Sequence, residues 1–558
     1  MIFSKLSTPI LHHSNTPWFW YLRTTILESL RGLGEFSKIR NISDSDIPPA
    51  KAPRTLSSDK YFFFFFAAFA SLREIIRNSV AASTRWVLRG ELVSVFAVTM
   101  VLGLSGCMVG PDYRRPPAAI PPQFRAAMTP EAVPSIADLK WFEVFEDEHL
   151  QELIRVALVQ NYDLRDAIAR VDQARANLGI TRSNQFPNFN LGGGVTGQEL
   201  STNGQFSIPP GSTVISRQRT FGEGFVSLLS FEFDIWGRLR RATESAQAQL
   251  LASDWNRKTV ITTLISDVAT AYFNLLELDM ELAIARDTLG TREESLRLLR
   301  AQLQGGVGTL LDVRQGEQLV YGAAEIIPST KQQIEQTENQ ISYLLGKNPG
   351  PVDRGRPLTE QQTPPEVPAG LPSALLERRP EVQAAEQILV ANNANIGVAK
   401  AAYFPQITLT AQYGYQSIAL AGLFAGSRRA WTFVPQLTQP IFTAGRLGSQ
   451  LELAEAQQQS ALAQYEGAIQ SAFRDVSSAL IQYQNVREVR AQRELLVIAL
   501  RDRKRLAYMR FSGGVDTMLN ALNSDQDLFN AELSLAQARR DELLSLVQLY
   551  KALGGGWQ

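Results

Sequence analysis

Two short stretches, Gly-Gly-Val-Gly-Thr at residues 305–309 and Gly-Gly-Val-Asp-Thr at residues 513–517, decide how the fold is interpreted. Each stretch separates two segments in which apolar residues recur at helical spacing. A Gly-Gly pair at such a place is typical of a helix end, because glycine tolerates the positive φ that helix termination requires. The sequence therefore predicts one helical hairpin in each half of the chain.

The similarity of the two halves extends well beyond these turns. At the same offset of 208 residues, Gly237-Arg-Leu aligns with Gly445-Arg-Leu, and closer to the N-terminus an offset of 218 aligns Phe186-Pro with Phe404-Pro. Self-similarity at a fixed offset indicates a duplicated structural unit. The change of offset predicts a longer loop in the first copy, within residues 200–219, where Ser, Gly and Pro are frequent.

The repeat divides residues 141–558 into two copies and a linker between them. We assign residues 141–350 to the first copy, residues 351–370 to a Pro-rich linker and residues 371–558 to the second copy. Each copy is predicted to run helix, strand, loop, strand, very long helix, tight turn and helix.

The two long helices are predicted from Arg238 to Gln304 and from Arg446 to Ser512, with apolar residues every three to four positions. At about 1.5 Å per residue, each would be roughly 100 Å long. Helices of this length cannot be enclosed in a globular domain, so we expect them to pair as coiled coils.

The predicted strands alternate apolar and polar residues. In the second copy the apolar positions are Ile407, Leu409, Ala411, Tyr413 and Tyr415, and in the first copy they are Phe225, Leu229, Phe231, Phe233 and Ile235. The alternation fits a membrane barrel, with apolar residues toward lipid, and it also fits a soluble sheet packed on a core. Four strands are too few to close a barrel, so a membrane barrel would need several chains.

Composition excludes several classes of function. The 558 residues include 55 Lys and Arg against 55 Asp and Glu, so no overall basic field attracts nucleic acid. Three His and one Cys cannot supply a His-rich metal site or a Cys/His nucleophile pair. We therefore expect neither an enzyme nor a metal or cofactor site.

The only cysteine, Cys107, follows Leu-Ser-Gly and an apolar run at residues 92–104 that has arginines before it. This pattern resembles a bacterial lipoprotein signal, here residues 87–106, which implies a covalent lipid on Cys107 and a lipidated N-terminal segment at 107–140. Met108 stands where lipoproteins retained in the inner membrane carry Asp, which favours the outer membrane. An ordinary buried cysteine is the alternative. Residues 1–86 are a doubtful extension, and we expect translation to begin near Val87.

Four motifs occur in a fixed order along the chain: Cys-Met-Val-Gly-Pro-Asp-Tyr-Arg-Arg-Pro at 107–116, Phe-Glu-Phe-Asp-Ile-Trp-Gly-Arg at 231–238, Leu-Leu-Glu-Arg-Arg-Pro-Glu at 375–381 and Gln-Pro-Ile-Phe-Thr-Ala-Gly-Arg at 439–446. Together they resemble the TolC/OprM family of outer-membrane efflux proteins, in particular its lipoprotein (NodT-like) branch in RND-type efflux systems. The likeness runs from Cys107 to the C-terminus.

The resemblance implies a mixed α/β membrane channel. Three identical chains would form a homotrimer with a 12-stranded outer-membrane β-barrel, four strands from each protomer, continued by a periplasmic α-helical barrel of coiled coils. The channel would be a passive, gated exit duct lying in outer-membrane lipid and extending into the periplasm. A periplasmic adaptor would connect it to an inner-membrane RND or ABC transporter.

The resemblance also implies roles for particular residues. The tips that contact the adaptor would be Gly305, Gly306, Val307, Gly513, Gly514 and Val515, and the junction between barrel and helices would involve Trp236, Gly237 and Gly445. The periplasmic gate would lie at Leu519, Asn520 and Asn523. Relatives carry carboxylates at this gate, so here we expect a neutral ring with weaker cation selectivity, unless Asp525 or Asp527 supplies the charge. Ordinary helix-surface amides are the alternative.

Two other functions remain open from the sequence. A lipid-anchored periplasmic coiled-coil scaffold or adaptor would share the lipid and the long helices, but it lacks a duplicated strand-helix unit. A lipid-anchored cell-wall enzyme is disfavoured by the scarcity of catalytic residues. The sequence does not identify the cargo.

Overall fold

The order of helices and strands repeats along the chain, as the sequence offsets predict. In the computed structural model, which describes residues 108–125, 135–199, 218–361, 372–418 and 422–557, these elements form one unit. In chain order they are α1 (Trp141–Val144), α2 (Glu148–Gln160), α3 (Tyr162–Ser183), β1 (Phe189–Glu199), β2 (Gln218–Glu232), α4 (Arg238–Gln304), α5 (Leu310–Leu344), α6 (Pro372–Arg378), α7 (Pro380–Ala401), β3 (Gln406–Ser417), β4 (Arg429–Thr438), α8 (Arg446–Ser512) and α9 (Met518–Ala552).

Several predictions lie outside the described residues. They are the extension at 1–86, the signal at 87–106, the lipidation of Cys107, the longer loop of the first copy between β1 and β2, and residues 362–370 of the linker.

The long helices confirm the duplication in detail. Both α4 and α8 have 67 residues, and their hairpin partners α5 and α9 have 35 residues each. The bounds of α4 and α8 are those predicted from the sequence. Each long helix is preceded by an N-cap glycine with positive φ, Gly237 at 77° and Gly445 at 84°. Only a residue without a Cβ adopts this conformation at little cost, so the glycines define where strand becomes helix.

The four strands form one antiparallel sheet in the order β1-β2-β3-β4. The pairing of β2 with β3 joins the two copies of the repeat, and β1 and β4 are the edges. The residue pairing gathers the apolar side chains on one face of the sheet: Phe189, Leu191 and Val195 of β1, Val226, Leu228 and Phe231 of β2, the five predicted residues of β3, and Trp431, Phe433, Pro435 and Leu437 of β4.

One part of the predicted strand pattern is wrong. Phe225 pairs with Gly414 and therefore lies on the polar face of the sheet. Phe231 lies on the opposite, apolar face. A β-bulge between Leu228 and Phe231, with Ser230 at a φ of 44°, inserts one residue into β2. Since side chains alternate between faces, one extra residue reverses which face every later side chain occupies.

The helices pack around α4, which contacts α3, α5, α7 and α9, whereas α8 packs against α7 and α9. The main hydrophobic core lies where the middle of α4 meets α2 and the C-terminal part of α9. By length and composition α4 could cross a membrane, but its most apolar window is 61% buried within the chain. Its apolar residues are therefore explained by helix packing.

Candidate functional site

The motif at residues 231–238 builds the junction between sheet and helix. The carboxylate of Asp234 accepts hydrogen bonds from the backbone N–H groups of Leu239 (3.0 Å) and Arg240 (2.9 Å), which caps α4. The indole of Trp236 donates to the carbonyl of Pro405 (2.8 Å) and stacks on Phe404, with ring centroids 4.7 Å apart. The junction therefore attaches the first copy to the residues that precede β3 in the second copy.

Residues 108–115, named here the N-terminal strap, cross this junction. The N–H of Val109 donates to the carbonyl of Trp236 (3.0 Å), and Met108 packs so closely on Gly237 that a Cβ there would lie 2.9 Å from its Cγ. Arg241 of α4, 2% exposed, donates to the Asp112 carboxylate (2.7 Å). The strap thus begins at the connection between β2 and α4.

The strap continues onto α7. Its backbone passes so close to Gly397 that a Cβ at that position would lie 2.8 Å from the carbonyl oxygen of Val109. Glu386 of α7 accepts hydrogen bonds from Tyr113 (3.2 Å) and Arg115 (2.5 Å). Because α4 and α7 belong to different copies, the strap connects the two halves of the repeat. The sequence predicts these residues only as a lipidated segment, and their role in joining the two copies does not follow from it.

The predicted tips are the turns between α4 and α5 and between α8 and α9. Gly306 and Gly514 have φ values of 78° and 73°, and Val307 and Val515 donate their N–H groups back to Gln302 and Arg510 (3.0 Å each). This is the Schellman arrangement that ends a helix. Val307 is 84% exposed and Val515 is 68% exposed, so each turn presents an apolar side chain.

The helices that follow the two tips begin differently. At α5, Thr309 and Asp312 form a reciprocal capping box. At α9, Asn520 stands at the position equivalent to Asp312, and its amide donates to Asp516 (2.6 Å). Hydrogen bonds from Asn520, from the backbone of Thr517 and from Arg510 lower the pKa of Asp516, so this carboxylate is ionised at neutral pH.

The predicted gate residues share an exposed surface near the start of α9. Leu519 is 45% exposed, and Asn520 and Asn523 are also exposed. Helical spacing puts Leu519 and Asn523 on the same face as Asp527. The structure therefore brings the gate candidates together on one surface, close to the ionised Asp516, which the sequence analysis did not single out.

Asp525 does not lie on that surface, so the prediction that it supplies gate charge is wrong. Its side chain is 2% exposed, and it is paired with Arg292 of α4 (2.7 Å) and Lys504 of α8 (2.5 Å). Arg292, 4% exposed, also donates to the carbonyl of Leu319 (2.9 Å) on α5. The cluster joins four helices. The alternative candidate Asp527 is 48% exposed and pairs with Arg503 (2.7 Å).

A profile of the family described as outer membrane efflux protein matches residues 153–347 and 371–555. These two matches cover the two copies of the repeat, and together they span more than half of the chain. The chain therefore belongs to the outer membrane efflux protein family. It is the outer-membrane channel component of an efflux system, and it extends from the outer membrane into the periplasm.

Individual relatives agree with this assignment. The chain is 38% identical over 473 residues to the toluene efflux pump outer membrane protein TtgC of Pseudomonas putida, covering 84% of this chain and 96% of TtgC. It is 33% identical to the outer membrane protein OprJ of Pseudomonas aeruginosa, covering 84% and 97%. The open-state MtrE channel of Neisseria gonorrhoeae is similar with a TM-score of 0.74 and 32% identity, covering 81% and 99%.

The predicted family, fold class, function class and location are confirmed. The scaffold or adaptor alternative is not supported, because both the doubled unit and the relatives are those of a channel.

Proposed function

We propose that three copies of the chain close one twelve-stranded barrel and together form a passive duct that does no chemistry. The observation that carries the proposal is the sheet itself. It has four strands, one apolar face, and two edges, β1 and β4, that are unpaired among the described residues of one chain. An open edge in hydrocarbon leaves backbone N–H and C=O groups without partners at several kcal/mol each, so the edges must pair with neighbouring copies.

The repeat specifies how these edges pair. Within one chain, β2 pairs with β3 across the boundary between copies, and past the bulge Phe231 lies opposite Leu409. The equivalent positions are Gln439 and Leu191, so β4 of one chain is expected to pair with β1 of the next in this register. When this pairing is continued by four residues along the two antiparallel strands, Pro435 lies opposite Val195 of the next copy. Both belong to the apolar face, whereas a shift of one residue would mix the two faces.

The helices support the same closure. Helix α7 lies between α4 and α8, but its counterpart α3 packs mainly against α4. The tip half of α8 exposes a series of apolar side chains: Val489, Leu495, Leu496, Ile498, Leu506 and Met509. By the repeat, α3 of one copy is related to α8 of the neighbouring copy as α7 is to α4, so we expect α3 to pack on the part of α8 nearest the sheet. The exposed apolar side chains of the tip half would pack against other helices of the neighbouring copy, which removes apolar surface from water.

The strap supports a lipid anchor on Cys107. Met108 packs on Gly237, where the barrel meets the helices. A diacylglycerol on the preceding residue would enter the membrane beside the junction, and two acyl chains are enough for stable anchoring. The exposed turns with Val307 and Val515 are the surfaces we assign to a periplasmic adaptor, which connects the duct to an inner-membrane RND or ABC transporter.

We propose toxic organic compounds, including solvents and antibiotics, as the cargo class, because relatives are named for toluene, solvent and antibiotic efflux. Deleting the gene is expected to make cells sensitive to toluene, and expressing the intact chain should restore tolerance. Unchanged sensitivity in a strain that lacks other channels of this family would contradict the proposal.

The gate composition predicts weak ion selectivity. Asn520 and Asn523 are uncharged, and the nearby carboxylates are paired, Asp527 with Arg503 (2.7 Å) and Asp516 with Arg510 (3.1 Å). We therefore expect a reversal potential close to zero in a salt gradient across a planar bilayer. Replacing both residues, Asn520→Asp and Asn523→Asp, should add six carboxylates per trimer and shift the reversal potential toward the cation limit. Asp527→Asn leaves Arg503 without its partner, which adds three positive charges per trimer and should shift the reversal potential toward the anion limit. Strong cation preference in the unmodified channel would contradict this assignment.

A further inference from the structure

A layer of charged side chains interrupts the hydrophobic contacts between α9 and its neighbours. Where α9 faces α4, the layer contains Glu277 and Glu281 of α4 and Arg540 and Asp541 of α9. The main core lies on one side of this layer, and a smaller cluster of Val497, Leu528, Ala531 and Leu535 lies on the other. The layer belongs to the helices, outside the strands that span the membrane.

Glu277 is the most buried carboxyl in this layer. Its side chain is 3% exposed, and its Oε1 has no hydrogen-bond donor in the described part of the chain. Its Oε2 accepts one long hydrogen bond from Arg540 (3.3 Å). That guanidinium donates more closely to Asp541, at 2.8 Å and 3.0 Å, so its positive charge is shared between two carboxyls.

Glu281 lies one turn further along α4, within hydrogen-bonding reach of Glu277. Its Oε1 accepts from the amide of Gln537 (3.1 Å). If Glu277, Glu281 and Asp541 were all ionised, three negative charges would face the single positive charge of Arg540. A proton on the free oxygen of Glu277 supplies the missing donor and removes one of these charges.

Other nearby charges are already engaged. Asp279 of α4 and Glu338 of α5 both pair with Arg354 (2.9 Å and 2.5 Å). On the far side of α9, Glu542 pairs with Arg490 of α8 (2.6 Å). Arg487 of α8 is 3.8 Å from Glu542, and Arg539 and Glu494 pair with each other at 3.4 Å.

We propose that Glu277 carries a proton at neutral pH, and that its neutral side chain lets α4 pack against α9 around the single charge of Arg540. In mildly alkaline solution the proton leaves to solvent, the Glu277 carboxylate then repels Asp541 of α9 as well as Glu281, and the contact between α4 and α9 loosens. The packing contact between α4 and α9, which lies between the main core and the tips, is therefore sensitive to pH.

The direction of the pH effect follows from proton linkage. Burial, with the adjacent Glu281, raises the pKa of Glu277 from 4.5 to about 8. The folded chain then binds this proton more tightly than the unfolded chain. The resulting stabilisation is complete below the unfolded pKa and is lost as the pH rises through the folded value.

The test compares thermal unfolding midpoints of the intact assembled protein in detergent at about pH 6 and about pH 9. The unmodified protein should unfold at a lower temperature at the alkaline pH. Glu277→Gln supplies a permanent neutral donor to Glu281, so its midpoint should change much less and exceed that of the unmodified protein at alkaline pH. Glu317→Gln, a change in a surface ion pair of the first hairpin, should retain the unmodified pH dependence.

Hydrogen exchange locates the effect. Amides of α4 around residues 277–285 should exchange several-fold faster at alkaline pH than the intrinsic rates predict, and Glu277→Gln should abolish the excess. If Glu277→Gln does not assemble, Glu281→Gln decides, since it neutralises the other member of the pair. A variant that keeps the unmodified pH dependence, or one that is less stable at both pH values, would overturn the proposal.

Discussion

Replacing Asp525 by Ala should destabilise the periplasmic end of the channel and increase its conductance. The change leaves Arg292 and Lys504 without their shared carboxylate, while Arg292 stays buried between α4, α5 and α9. Breaking a buried pair by removing one partner typically costs about 3–5 kcal/mol, because a desolvated charge is left uncompensated. Since the cluster links both helical hairpins, the expected result is a looser tip.

The first hairpin provides a matched control for this variant. Glu317 is the repeat equivalent of Asp525, but its partners Arg300 and Arg314 are 51% and 68% exposed. Glu317→Ala should therefore change single-channel conductance and thermal stability little. Equal effects of the two substitutions would show that burial of the Asp525 cluster does not control the tip.

Replacing Gly397 by Ala should release the N-terminal strap. The new Cβ would lie 2.8 Å from the carbonyl oxygen of Val109 and 2.8 Å from Cγ of Arg241, and a backbone atom cannot move aside easily. Overpacking of this kind costs about 1–3 kcal/mol. The strap connects α4 to α7, so its release should lower the unfolding midpoint and speed trypsin cleavage after Arg114. The bond after Arg115 precedes Pro116 and resists trypsin.

Gly179 gives the control, because it occupies the equivalent position in α3. Among the described residues no atom lies within 4 Å of its Cβ position. Within the described ranges no strap passes over Gly179, and helix propensity favours Ala by up to about 1 kcal/mol, so Gly179→Ala should cost less than Gly397→Ala. The two substitutions should thus differ in their effect on the unfolding midpoint and on proteolysis of the strap. Stabilisation by both substitutions would contradict close packing of the strap on α7.

The features that follow from local periodicity were predicted well from the sequence. The bounds of α4 and α8 could be found because helix formation depends on residues that are close in sequence. The duplication could be found because matching residues recur at a fixed offset. The face occupied by Phe225 could not, because the bulge at Ser230 reverses the alternation and the residues around it carry no clear signal for it.

Contacts between distant residues were the second kind of feature that escaped prediction. Asp525 resembles its exposed neighbour Asp527 in sequence, and only the crossing of three helices brings Arg292 and Lys504 to it. The strap was missed for the same reason, because Arg241 and Asp112 are separated by 129 residues. Asp516 was also missed, since its hydrogen bond with Asn520 depends on the geometry of the turn.

The central claim is that three copies close one barrel through pairing of β4 with β1 of the next copy. It is tested most directly by introducing Cys at Pro435 and Val195 in a variant in which Cys107 is kept for lipidation. Mild oxidation of native membranes should give a covalent trimer on denaturing gels, and a pair moved by one residue, Pro435→Cys with Thr196→Cys, should give much less. A covalent dimer as the largest product, or equal yields from the two pairs, would contradict the account.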